Sequence, residues 1–181
     1  MVFRDKREKS EYDQKLLEAS RVARVVKGGK RFSFRALVII GNRKGKVAVG
    51  VAKGADLTDA TQKSVTNAKK SIIVVPITNG SIPHEVYQKY GASMVLIKPA
   101  PKGSGIIAGG AVRTILELAG VANASGKILG STNKLNCARA TIIALGKFKS
   151  NTRPVNMQAK KIAEAPAKEA KGVTEEKAKS K

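Results

Sequence analysis

KGSGIIAGGAVR, residues Lys102 to Arg113, sets four glycines ahead of apolar residues at helical spacing. A glycine-rich turn feeding a helix is one way to hold phosphate, because converging backbone N–H groups and the helix dipole both favour an anion. The spacing can be tested against each chemistry that uses it. In a G-x-x-x-x-G-K-[ST] loop the lysine reaches the phosphates and the hydroxyl a magnesium ion. Gly105 and Gly110 have that separation, but Ala111 and Val112 follow. A dinucleotide fingerprint needs G-x-G-x-x-G and an acid about 20 residues on. Gly109 falls one residue too far, and no acid occurs between Glu117 and Glu164. Small-molecule kinases carry a proline, three residues, then Gly-Leu-Gly-Ser-Ser-Ala. Pro101 and Gly105 fit, yet Ile107, Ala108 and Gly109 stand where the middle glycine and both serines belong. The expected role of these glycines is tight turning and close packing.

Other chemistries fare no better. His84 is the only histidine, and Cys137 is the only cysteine, set at core-like helical spacing. Between residues 19 and 163 the carboxylates are Asp56, Asp59, Glu85 and Glu117, too few and too scattered for a metal-dependent nuclease. No catalytic residue, metal site, cofactor or small-molecule substrate is expected, and the chain is not read as an enzyme.

The same stretch, 19–163, holds 25 Lys and Arg, so the body carries nearly all of the formal +22. Such a field repels itself unless a polyanion neutralises it. Nucleic acid fits best, because cations gain affinity by releasing counterions from phosphates. No apolar run approaches the roughly 18–20 residues that span a bilayer, so no membrane role is expected. The N-terminus is too polar for a signal peptide, and a lone cysteine suits a reducing cytoplasm. Tryptophan is absent and aromatics make up 4%, so phosphate and shape contacts are expected ahead of base stacking.

The elements that must position these residues read as two small α/β modules, an α+β fold class. Residues 1–15 form a charged extension. Leu16–Lys27 is open between a helix and a strand starting near Arg21, and Gly28-Gly29 turns the chain. RFSFRALVII alternates and then becomes wholly apolar, and KVAVGVAK is a third strand. Asp56 is placed as an N-cap of a helix to about Ser71, with Leu57, Ala60, Ser64 and Ala68 inward and Lys63, Lys69 and Lys70 outward. Residues 16–71 thus read β-β-β-α. IIVVPIT is expected to be a buried strand opening a second module over 72–150. Two paired strands, HEVYQKYG and SMVLIKPA, follow; then come the glycine stretch with a helix, a short strand in ANASGKILGS, and a helix over 135–148. Residues 151–181 are a Lys/Glu/Ala tail.

KGGKRFSFRALVIIGN, the unit ending NAKKS, NGSIPHEV, and KPAPKGSGIIAGGAVRTILELAGV followed by KILGSTN resemble the bacterial small-subunit ribosomal protein S-five family over about residues 12–150. The resemblance implies a first domain similar to double-stranded-RNA-binding folds and a second, βαβα sandwich shared with small-molecule kinases, without their activity. It implies a structural constituent of the small ribosomal subunit in the cytoplasm. The family member binds rRNA, holds head to body near the messenger RNA entry, neighbours ribosomal proteins four and eight, and contributes to translational accuracy. Spectinomycin-resistance changes in the family map onto Arg24 through Arg31, and accuracy-relaxing changes onto Gly105 and Arg113. Three departures stand out. The third strand carries Ala48, Val49 and Ala52 where glycines and an aromatic are usual, Asn42 replaces an aspartate, and Lys134 a proline.

Candidate rRNA-binding residues are therefore Arg24, Lys27, Gly28, Gly29, Lys30 and Arg31 at the hairpin, with Lys63, Lys69 and Lys70 on the first helix. The lysines are equally readable as a solvated face. Gly105 and Arg113 are candidates for a contact with protein four, although Arg113 can also pair with Glu117 four residues on. A free double-stranded-RNA-binding regulator and a kinase-fold enzyme are the competing readings.

Overall fold

The computed structural model describes residues 11–148. Expectations for residues 1–10 and for the tail lie outside them. Strands β1 (Asp13–Val26), β2 (Gly29–Gly41), β3 (Lys46–Gly54) and β4 (Ile73–Val74) form one sheet in that order, with α1 (Leu57–Lys69) between β3 and β4. A second sheet, ordered β5-β6-β8-β7, is built from β5 (Val86–Tyr90), β6 (Ser93–Pro99), β7 (Ile106–Ile107) and β8 (Ala124–Gly130). Helix α2 (Gly110–Ala119) links β7 to β8, and α3 (Lys134–Gly146) follows. The α+β class and the β-β-β-α order are as the sequence predicts.

Strand β2 explains its own pattern. Alternate residues Ala36, Val38 and Ile40 pack with Ala48, Ala60 and Ala68 under α1. Ile39, on the opposite face, joins a core with Val112, Ile115, Leu116 and Val95. A strand covered on both faces reads as a continuous apolar run. Two glycines let α1 lie close to the sheet: a Cβ on Gly50 would strike the Ser64 carbonyl and Ala68, and one on Gly54 would strike Ala60. Ser64 Oγ then donates to the Ala36 carbonyl at 2.9 Å in the buried interface.

The two sheets share that second core, and helix α2 supplies the joint. Its C-terminus ends on Gly120 at φ +88, with the Gly120 and Val121 N–H groups donating back to Leu116. The remaining carbonyls, of Leu118 and Ala119, accept the N–H groups of Arg43 and Gly45 from the β2–β3 turn at 2.9 and 2.8 Å. That turn is held by Asn42, whose Oδ1 accepts from the Lys44 and Lys46 N–H groups. An aspartate there would accept the same bonds.

Four expectations change. Residues 16–26, open between helix and strand, are strand, Lys27 is in the turn, and β1 starts at Asp13, inside the expected extension; pairing with β2 decides this. IIVVPIT is not a buried strand of the second module. Ile73–Val74 pair with β3 of the first sheet, Val74 is 69% exposed, and Thr78 makes an isolated bridge to Ser81. Leu57 is exposed at the first turn of α1 rather than inward, and Asp56 sits at the N-cap position without a side-chain cap bond. The glycine stretch contains β7, a short strand parallel to β8 that its spacing does not announce.

Candidate nucleic-acid interface

Strand β3 pairs with β2 only from Phe34 onward, against Gly54. Beyond that point β1 and β2 continue as a two-stranded arm, about 17 Å from Phe34 to Gly29 at strand rise. Every residue from Ala23 to Phe32 is exposed. Lys27-Gly28 form the turn between the paired Val26 and Gly29, which adopts φ +151. Gly28 has no positive φ, and a Cβ there would meet nothing within 4 Å.

Register sorts the arm into two faces. Residues directly opposite on an antiparallel pair share a side. Arg24 faces Arg31, and Ser20 faces Arg35, on one side; Arg21 faces Phe34, Ala23 faces Phe32 and Val25 faces Lys30 on the other. Like charges directly opposite destabilise a sheet. The nearest acid on the arginine face is Glu18 at its base, 3.9 Å from Arg35. So Arg24, Lys27, Lys30 and Arg31 are gathered within one exposed tip.

The helix lysines are not gathered in the same way. All three are exposed on α1 or at its C-cap. Lys63 borders an open groove of about 600 Å³ with Ala52, Lys53, Gln62, Thr66 and Asn67. Lys69 borders a different groove, toward Tyr12 and, in β1, Gln14. Of the departing third-strand residues, Ala48 is fully buried under α1, Val49 packs on the central core at the edge of a groove shared with Tyr90 and Arg139, and Ala52 lines the groove beside Lys63.

The glycine stretch resolves differently from a phosphate loop. Gly103 and Gly105 adopt φ +90 and +68, and their N–H groups converge at 3.0 and 3.1 Å on one oxygen, Oδ1 of Asn123. The seat that an anion would take is filled by the chain's own carboxamide. Asn123 is buried and is held in turn by its backbone, which donates to Gly80 and accepts from Ser81 Oγ. Nothing in its sequence neighbourhood marks it, since its partners lie about 20 and 42 residues away.

Arg113 lies on the exposed side of α2, with Nε 3.7 Å from Glu117 Oε1. Glu117 also takes Lys15 Nζ at 3.1 Å through its other oxygen. A Cβ on Gly105 would meet nothing within 4 Å.

The described residues thus form a two-sheet α+β body with a basic arm, and the Gly103–Gly105 loop is closed by the chain's own asparagine. Comparison with known proteins is more specific. Residues 12–76 match the family model for Ribosomal protein S5, N-terminal domain, and residues 88–160 that for Ribosomal protein S5, C-terminal domain. Among relatives, the small ribosomal subunit protein uS5 of Thermotoga neapolitana is 51% identical over 135 residues, 75% of this chain and 76% of that one. Protein uS5c of Guillardia theta is 49% identical over 152 residues, 83% and 90% of the two chains. Protein uS5 of Acaryochloris marina is 49% identical over 148 residues, 81% and 84%. The chain belongs to the ribosomal protein S5 family.

Proposed function

We propose that this protein is a structural, non-enzymatic constituent of the small ribosomal subunit in the cytoplasm. It binds rRNA through the β1–β2 arm and the lysines of α1. The first sheet with α1 acts as a double-stranded-RNA-binding-like domain, and the second sheet with α2 and α3 as a kinase-type sandwich without kinase chemistry. In this reading the protein holds head to body near the messenger RNA entry, beside ribosomal proteins four and eight. Gly105 and Arg113 meet protein four and so influence accuracy. The observation that carries the rRNA assignment is the Arg24–Arg31 pair, two cations directly opposed on an arm with no acid at its tip. Phosphate supplies the neutralising charge that the fold withholds.

A sucrose gradient of a lysate tests the assignment. The protein is expected to travel with small subunits; recovery in the soluble fraction would favour the free regulator.

A further inference from the structure

The arm's other face carries a different kind of group. The Arg21 guanidinium carbon lies 3.7 Å from the centroid of the Phe32 ring, a diagonal contact across the β1–β2 ladder. Neither residue is buried: Phe32 is 47% exposed, and Val25, two positions further toward the tip on the same face, is 75% exposed. By register this face continues into Phe34 and Ala36, the side of the sheet on which α1 packs.

We propose that the Arg21–Phe32 stack is a platform for one unpaired base of a single-stranded RNA segment, while Arg24 and Arg31 on the opposite face hold phosphate. The inference rests on the rRNA-binding reading above and adds a second, base-directed contact to it. Three physical facts support it. A phenyl ring left half in water on a ribbon that buries nothing gains little for folding, whereas a guanidinium plane over an aromatic ring offers a flat surface to a third π system. Unpaired bases in RNA–protein complexes stack on aromatic rings and on arginine planes. The lysine opposite Val25, Lys30, sits on this same face near the tip, where it can follow the backbone of the strand whose base is stacked. The low aromatic content predicts little stacking overall; exposed rings remain at Phe32 on the arm and Tyr87 on β5, and Phe32 is the one of the two with a guanidinium already over it.

The test uses the full chain and a short single-stranded RNA carrying a fluorescent adenine analogue, with a fully paired duplex of the same sequence as comparison. Stacking quenches the analogue. Phe32→Leu keeps an apolar side chain of similar size and removes the ring; Phe32→Tyr restores it. Phe32→Leu is expected to abolish quenching and weaken single-strand binding roughly 5- to 150-fold, the range for stacking one base. It leaves the salt slope and the duplex affinity unchanged. Phe32→Tyr returns both quenching and affinity. If Phe32→Leu binds and quenches as the parent does, the pair only stiffens the arm and the proposal is overturned. A parallel Arg24→Gln/Arg31→Gln variant separates the two claims. If it also leaves RNA affinity unchanged, the rRNA-binding reading of the arm fails. If it weakens binding while Phe32→Leu does not, only the stacking platform fails.

Discussion

The side chain of Asn123 and the backbone of Gly105 are locked together: Oδ1 accepts the Gly105 N–H at 3.1 Å, and Ala124, the next residue, donates its own N–H to the Gly105 carbonyl at the same distance. Gly103 adds a second N–H to the same oxygen. The loop that resembles a phosphate cradle is thereby an internal clamp, closing the turn before β7 onto the start of β8.

Asn123→Ala should therefore act on stability and not on ligand binding. Two loop N–H groups lose their acceptor, an expected loss of about 1–3 kcal/mol. Thermal unfolding measures it, and RNA affinity of the folded variant stays at the parent value. Calorimetric titration of the parent with ATP is expected to show no saturable binding. Tight binding that Gly105→Val removes would restore the kinase reading.

RNA binding by the arm should be strongly salt-dependent. The log–log slope is expected to be several units negative, about 0.7–0.9 per phosphate contact. Deleting residues 157–181 leaves it nearly unchanged, because four Glu offset most of the seven Lys there. Arg24→Gln/Arg31→Gln makes the slope shallower by about 1.4–1.8 units, two contacts' worth. The same change relieves like-charge repulsion, so the melting temperature is expected to hold or rise. A slope carried by the tail would contradict this assignment.

Local pattern revealed the elements whose burial is decided within a few residues. The pair β5–β6 and the α2 face of Val112, Ile115, Leu116 and Ala119 are legible because periodicity reports a packed face, β2 because burial on both faces gives an apolar run, and the basic hairpin because its cations flank a Gly-Gly turn. What failed depended on distant partners. LLEASRVARVV suits either helix or strand, and pairing with β2 settles it as strand. IIVVPIT is apolar because it crosses between the sheets with Val75 buried, not because it pairs; Pro76 has no N–H to offer a ladder. Asn123 was silent because its role comes from a turn about 20 residues earlier. Alternation along β2 already separates Arg31, Ser33 and Arg35 from Phe32, Phe34 and Ala36; that Arg24 joins the first face and Arg21 the second needed the register with β1.

The hairpin glycines should separate strain from charge. Gly28→Asp meets open space at an ordinary φ, so stability is expected to change by less than about 0.5 kcal/mol. Gly29→Asp must take up φ +151 and is expected to cost about 1–3 kcal/mol. Both place a carboxylate beside the tip cations and weaken RNA binding. In cells, Gly28→Asp or Lys27→Glu is expected to alter the spectinomycin response in ribosomes that assemble normally. Unchanged drug sensitivity in such ribosomes would remove the hairpin from the drug-relevant contact.

The joint between the sheets should be intolerant of a single methyl group. A Cβ on Gly120 would strike the Arg43 carbonyl, and φ +88 disfavours any side chain. Strain and overpacking together predict a loss of about 2–5 kcal/mol for Gly120→Ala. Gly110→Ala, at the open start of α2, meets nothing within 4 Å and is expected to stabilise by about 0.4–1 kcal/mol. Chemical denaturation of both variants checks the pair, and equal effects would mean that the β2–β3 turn does not dock tightly on α2.

Gly105 and Arg113 provide the final test, because the structure gives each a local cost that must be separated from any interface effect. Gly105→Arg forces φ +68 on a side chain, about 1–3 kcal/mol of strain. Gly105→Ala carries the same strain without the long cation and is the control. Arg113→Leu removes a guanidinium 3.7 Å from Glu117, but Glu117 keeps Lys15 at 3.1 Å, so its carboxylate is not left unpaired and stability should barely move. Surface ion pairs of this exposure contribute at most about 1 kcal/mol. At an interface with ribosomal protein four the same arginine would matter more, since losing one partner of a buried charge-assisted bond costs about 2–5 kcal/mol. Both Gly105→Arg and Arg113→Leu are therefore expected to weaken binding to purified protein four and to raise stop-codon readthrough, while RNA affinity stays unchanged. Gly105→Ala should lower the melting temperature and leave readthrough near the parent level. Readthrough that follows the melting temperature across all three variants would assign the stretch to packing alone, and a loss of RNA affinity would make it an RNA contact instead.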